Sequence, residues 1–227
     1  MAPATPIYLE KGKRRVFAAA LDWPGWCRSA RTEDDAVRVL FDYAPRYAEA
    51  IAKAPVRFSR PRDVSELEVV ERLKGNATTD FGAPAVAPSA DEEPVPAGEL
   101  RRLVALLQAG WSTIDAAAKK ARSKELRKGP RGGGRELEAI VEHVVDAEAA
   151  YLPRLGGRFR RDDTADLSKE KRRLRALVIE ALSARARGEP LPADTRIKTF
   201  WTPRYFVRRA AWHALDHAWE IEDRSSG

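Results

Sequence analysis

Three histidines, His143, His213 and His217, are the only ones in the chain. His213 and His217 stand four apart in Trp212-His-Ala-Leu-Asp-His-Ala-Trp-Glu220, so on a helix both imidazoles leave one face, about one turn apart. That spacing suits a single ion. His143, in Val141-Glu-His-Val-Val-Asp146, is flanked by apolar positions of another helical pattern and can supply a third nitrogen from across a core. Three histidine ligands leave a further coordination position for water or substrate, which is how catalytic zinc sites differ from closed structural ones. A lone histidine beside an apolar stripe is more often a hydrogen-bonded core residue. All three on core-facing positions of two helices would be costly without a shared partner.

Other polar residues near these histidines extend the candidate site. Glu220 lies three residues beyond His217 and seven beyond His213, on the same helix face, where it can orient a ligand or serve as an acid–base group. Asp216 and Asp146 are weaker candidates for the same supporting role. Both read equally well as exposed carboxylates balancing nearby arginines. Trp201, Trp212 and Trp219 could line a pocket, although aromatics at this spacing usually form plain core. The single cysteine, Cys27, has no partner for a disulfide or a thiolate metal site and reads as a small buried strand residue.

Positioning these residues falls to helices. Apolar residues recur at spacings of three and four over residues 99–121, 135–155, 164–187 and 202–224. Pro203 suits a first helical position, where its missing amide proton costs nothing. Gly132, Gly133 and Gly134 separate the first two stretches, and Glu189-Pro-Leu-Pro192 separates the last two. Four amphipathic helices with moderate connections predict a bundle.

The first part of the chain has a different character. Ile7-Tyr-Leu9 and Val16-Phe-Ala-Ala-Ala-Leu21, around a charged turn, predict a hairpin, and a short strand is expected at Trp26-Cys-Arg28. Thr32 precedes Asp35 by three and can cap a helix bearing Ala36, Val37, Leu40, Phe41, Ala44 and Tyr47, which Pro45 kinks or interrupts. Residues 66–73 are read as a further strand. Between the two parts, residues 77–98 hold four prolines and an acidic triplet without periodicity, and read as a linker. The expected organisation is therefore α+β with two domains: a small β-β-β-α-β unit at 1–76 and a helix bundle at 99–227.

A net charge of +7 and a pI near 9.7 raise the question of nucleic acid. Acidic residues Asp162, Asp163, Asp166 and Glu170 interrupt the basic runs at 158–161 and 169–175, and no recognised nucleic-acid motif accompanies them. These runs are expected to be solvated helix faces. No stretch reaches the roughly 20 apolar residues needed to cross a bilayer, and residues 1–10 lack a basic segment followed by an apolar one, so no membrane association and a cytoplasmic location are expected.

Two family resemblances go with these patterns. Residues 99–224 resemble the DinB-like four-helix bundles, on the helix order, on His143 and on the segment Trp212-His-Ala-Leu-Asp-His-Ala-Trp-Glu-Ile-Glu-Asp-Arg224. In that superfamily a histidine of the second helix and a HxxxH of the fourth form a metal-binding triad. The resemblance implies a bound divalent ion, commonly zinc or nickel. Some relatives are transferases or isomerases dependent on mycothiol or bacillithiol, and many have no known activity. Residues 7–73 resemble the HicB-type antitoxin fold, on Leu21-Asp-Trp-Pro-Gly25 and Arg31-Thr-Glu-Asp-Asp-Ala36, with Asp35 where that family usually has Glu. No DNA-binding segment follows, so an accessory fold for substrate or partner contact is expected.

Three functions are consistent with these residues. The first is a metal-dependent enzyme acting on a small-molecule or thiol substrate. The second is a metal-stabilised binding module without turnover. The third, which the acidic interruptions argue against, is a toxin- or nucleic-acid-binding regulator. A homodimer is left open.

Overall fold

Alternation at period two places Ile7 and Leu9 on one face of a strand and Tyr8 on the other, and Val16, Ala18 and Ala20 against Phe17 and Ala19 on the next. These are β1 (Thr5–Lys11) and β2 (Val16–Ala20), an antiparallel hairpin whose register runs from Ile7 opposite Ala20 to Lys11 opposite Val16. The computed structural model describes residues 4–128, 134–162, 164–192 and 197–225; Gly132, Gly133 and Asp163, used above, lie outside them. β3 (Cys27–Ala30) adds antiparallel to β2, and β4 (Leu67–Lys74) adds parallel to β1, giving the order β3-β2-β1-β4. The chain is α+β.

Thr32 caps α1 (Glu33–Asp42), its Oγ1 accepting from the Asp35 amide at 3.1 Å. The helix stops at Tyr43, and α2 (Ala44–Ala50) starts afresh with Pro45 in its first turn, where a proline lacks only a donor that has no use. Ala36, Leu40 and Tyr47 from these helices cover one sheet face, with Ile7, Leu9, Val16 and Ala18 beneath them. Tyr8, Phe17, Ala19 and Cys27 on the opposite face pack around Trp212. Both faces are covered, which explains the fully buried run of β2. The Cys27 thiol is buried, and burial pushes its pKa up, so it stays an unreactive thiol.

Residues 77–98 carry more structure than a linker needs. Asn76 and Thr79 form a reciprocal cap at the start of α3 (Ala77–Phe81), and a single 3-10 turn follows at Ser89–Glu92. Two buried carboxylates tie the segment down. Glu10 of β1 accepts from Thr79 Oγ1 and from the amides of Ala85 and Val86. Asp91, fully buried, takes two hydrogen bonds from the Arg208 guanidinium, at 2.6 and 2.9 Å, while Arg208 also donates to the carbonyls of Ala20 and Leu21. The prolines leave backbone groups without sheet or helix partners, and Glu10 meets two of them, the amides of Ala85 and Val86.

The remaining chain is helical. α4 (Ala97–Ala121), α5 (Leu137–Tyr151), α6 (Leu167–Ala186) and α7 (Pro203–Ser225) pack about one apolar core that includes Leu107, Ile140, Val144, Leu174, Val178, Phe206 and Ala214. Asp166 caps α6 by accepting from the Lys169 amide at 2.8 Å. α5 ends sooner than its pattern predicts, because Pro153 turns residues Leu152–Leu155 into a 3-10 turn closed by Gly156 in the left-handed region. Leu106 and Ala109 of α4 and Leu215 and Trp219 of α7 belong to the sheet-side core, so the sheet and the helices share apolar contacts. Gly25 marks that contact. Its φ is +95°, and an added Cβ would stand 2.8 Å from the Leu215 side chain, so glycine alone fits the turn.

Candidate metal centre

α5 supplies His143 and α7 supplies His213 and His217. The spacing of four stacks the two α7 imidazoles on the face that meets α5, with ring centroids 4.7 Å apart. The His143 ring stands 5.0 Å from His213 and 5.1 Å from His217. One candidate nitrogen from each residue lies within 4.8 Å of the others, close enough to hold one metal ion, and no other such group occurs among the described residues.

The surroundings of His213 and His143 favour neutral imidazoles with available lone pairs. His213 is only 7% exposed, and burial holds its pKa well below the usual histidine range, with His217, His143 and Arg209 pushing the same way. His143 is half-buried; burial first, then Arg135 and His217, lowers its pKa too. His213 Nδ1 is buried and has no hydrogen-bond partner. An orphaned nitrogen in a polar cluster is costly unless something binds there, so the donor set fits a transition-metal ion.

Glu220 is held on two sides. Its Oε2 stands 2.8 Å from His217 Nδ1, and its Oε1 accepts from Arg224 Nη1 at 2.9 Å. Arg224 is anchored in turn by the carbonyls of Arg127 and Arg135. A carboxylate on Nδ1 favours the tautomer with Nδ1 protonated, which leaves Nε2 of His217 free to ligate. The hydrogen bond with His217, and then Arg224, lowers the Glu220 pKa. A carboxyl group that stays ionised is a poor general acid but keeps the lone pairs of a base, and its contact with His217 Nδ1 also lets it orient that ring. Sequence reasoning missed Arg224, although its spacing of four from Glu220 on the same helix was a usable signal.

The other candidates stand apart from the triad's ligand atoms. Asp216 pairs with Arg28 at 2.8 Å and Asp146 with Arg161 at 3.2 Å, so both are carboxylates balancing arginines. Trp212 packs on Phe17 as core, and Trp219, packed on Tyr43, also lines a cleft with residues of α2 and α4 that holds none of the three histidines. Trp201 is half-buried and lines a cleft beside Tyr151 and Tyr205. Within the basic runs, Lys171 and Arg175 pair with Asp115, and Arg173 with Glu170. No helix among the described residues is long and apolar enough to cross a membrane.

Compared with family models, curated proteins and solved structures, the chain matches none.

Proposed function

We propose that this chain is a divalent-metal protein whose ion is held by His143, His213 and His217, with zinc or nickel the expected metal, in a DinB-like four-helix bundle. One observation carries the reading: three imidazoles converge from two helices while the buried Nδ1 of His213 has no partner in the protein. The resemblance of residues 99–224 to DinB-like proteins supports it independently of that geometry. Three protein ligands leave room for a small-molecule or thiol substrate, and the reading extends to a metal-dependent transferase or isomerase. A bound ion would supply Lewis-acid polarisation of a substrate oxygen or stabilise a thiolate. The protein's own contribution is to keep His143 and His213 neutral and to fix the His217 ring through Glu220 and Arg224. The sheet unit is proposed as a HicB-like accessory fold, supported by its three strands, the turn at Gly25 and the fourth strand after the helices, although two helices, α1 and α2, stand where one was expected.

The deciding experiment measures metal content by mass spectrometry in protein purified without chelators or an affinity tag that binds metal. The wild type should carry about one equivalent and the His213→Ala, His217→Ala double variant almost none. Equal metal in the two proteins would refute the assignment.

A further inference from the structure

A second feature lies one helical turn from the triad. Between residues 85–87, the end of α5 and the start of α7 is a cleft of about 680 Å³, walled by Tyr151, Trp201 and Tyr205 and by two arginines, Arg154 and Arg209. Arginines on these helices generally meet a carboxylate: Arg204 pairs with Glu99, Arg208 with Asp91 and Arg224 with Glu220. Arg154 and Arg209 do not pair with one among the described residues. Arg154 donates to the Thr199 carbonyl at 3.1 Å and lies 5.2 Å from the Trp201 ring centroid. Arg209 donates to the Pro84 carbonyl at 2.6 Å and lies 4.8 Å from Trp212 and 5.7 Å from Tyr151. Carbonyls and ring faces fix both guanidiniums in place without neutralising them, and most of their five N–H donors stay unused.

We propose that this cleft binds a small organic monocarboxylate with an aromatic or apolar body, its carboxylate on Arg154 and Arg209 and its body against Tyr151, Trp201 and Tyr205. The wall carries two cations and one exposed carboxylate, Glu92, for a net charge of one that matches a monoanion better than a phosphate ester, which bears nearly two negative charges at neutral pH. None of the three histidines lines the cleft; its wall residue Tyr151 stands 6.2 Å, ring to ring, from His213, and Arg209 precedes His213 by four on the same helix, so the wall rather than the cleft itself touches the triad. Taking this carboxylate as the substrate of the metal centre rests on the function proposed above, whereas its binding does not.

Calorimetric titration of the full chain with phenylacetate, phenylacetamide and phenyl phosphate tests the inference. Phenylacetate should bind one to one and at least about tenfold more tightly than the uncharged amide, the preference expected of a charge-assisted pair. It should also bind more tightly than phenyl phosphate. Arg209→Gln removes a bond to Pro84 and can disturb the fold, so Arg154→Gln serves as the second variant, each checked by its melting curve. Either should erase most of the preference for the charged probe. No saturable binding at about 10 mM phenylacetate, tighter binding of phenyl phosphate, or a preference untouched by both substitutions would overturn the proposal. Titrating the His213→Ala, His217→Ala variant keeps the two readings apart. Binding retained without metal supports the cleft, and metal retained without charge-dependent binding in the wild type overturns the cleft alone.

Discussion

Replacing Glu220 by glutamine is the sharpest perturbation of the candidate centre, because it keeps the size of the side chain and removes only its charge. Glu220 reaches His217 Nδ1 at 2.8 Å and Arg224 Nη1 at 2.9 Å, and its side chain is one-third exposed. A hydrogen bond to a charged group contributes about 1.5–3 kcal/mol and a neutral one about 1, so the swap removes about 1–2 kcal/mol, and the partial exposure trims this to about 1. Arg224 also donates to the carbonyls of Arg127 and Arg135, so it stays in place, and the loss falls on the orientation and basicity of the His217 ring. Zinc affinity in Glu220→Gln should therefore drop about five- to tenfold, near the lower end of the range for partners that orient a metal-bound histidine. Competition against a chromophoric chelator at fixed pH and salt reads this directly, with His217→Ala as the reference for losing the ligand itself. If zinc affinity in Glu220→Gln stays within twofold of the wild type while His217→Ala abolishes binding, the carboxylate does not position the ring and the argument fails.

Two further predictions concern buried charges. Asp91→Ala should leave the Arg208 guanidinium buried against the Ala20 and Leu21 carbonyls without a counter-charge, costing about 3–5 kcal/mol in urea unfolding; a loss below about 1 kcal/mol would show that residues 77–98 are not held by this pair. Glu148 accepts from Trp111 Nε1 within the helical core, and burial raises its carboxyl from 4.5 to about 7 despite the nearby Arg175. A raised pKa stabilises the fold fully below the unfolded value and less as pH climbs to about 7, so wild-type stability should fall by about 3 kcal/mol across that window on this group's account. Glu148→Gln should flatten the fall, and melting curves at pH 5 and pH 8 that shift equally in both proteins would contradict it.

Much of the architecture was legible in local pattern. The hairpin, the break at Tyr43 near Pro45, the Thr32 cap and the four helices all rest on interactions within a few residues, which periodicity and capping chemistry report. Residues 77–98 were not legible in this way. A five-residue helix is too short to show a period, and the groups that hold the segment, Glu10 and Arg208, lie far from it in sequence. The early end of α5, by contrast, was marked locally by Pro153, as Pro45 marks the end of α1, although Leu152 and Leu155 carry the apolar pattern past it.

The histidine triad shows the same division. Residue type and the spacing of four were enough to place His213 and His217 on one helix face and His143 on a core-facing position of another, because helix geometry is the same wherever a helix forms. Only the packing of α5 against α7 set the three rings about 5 Å apart, buried His213 Nδ1 without a partner, and put Glu220 rather than Asp216 or Asp146 on His217. Charge partners were decided the same way. The sequence shows that arginines are plentiful, but which of them meet carboxylates and which, like Arg154 and Arg209, face a cleft depends on side chains that the fold brings together from distant parts of the chain.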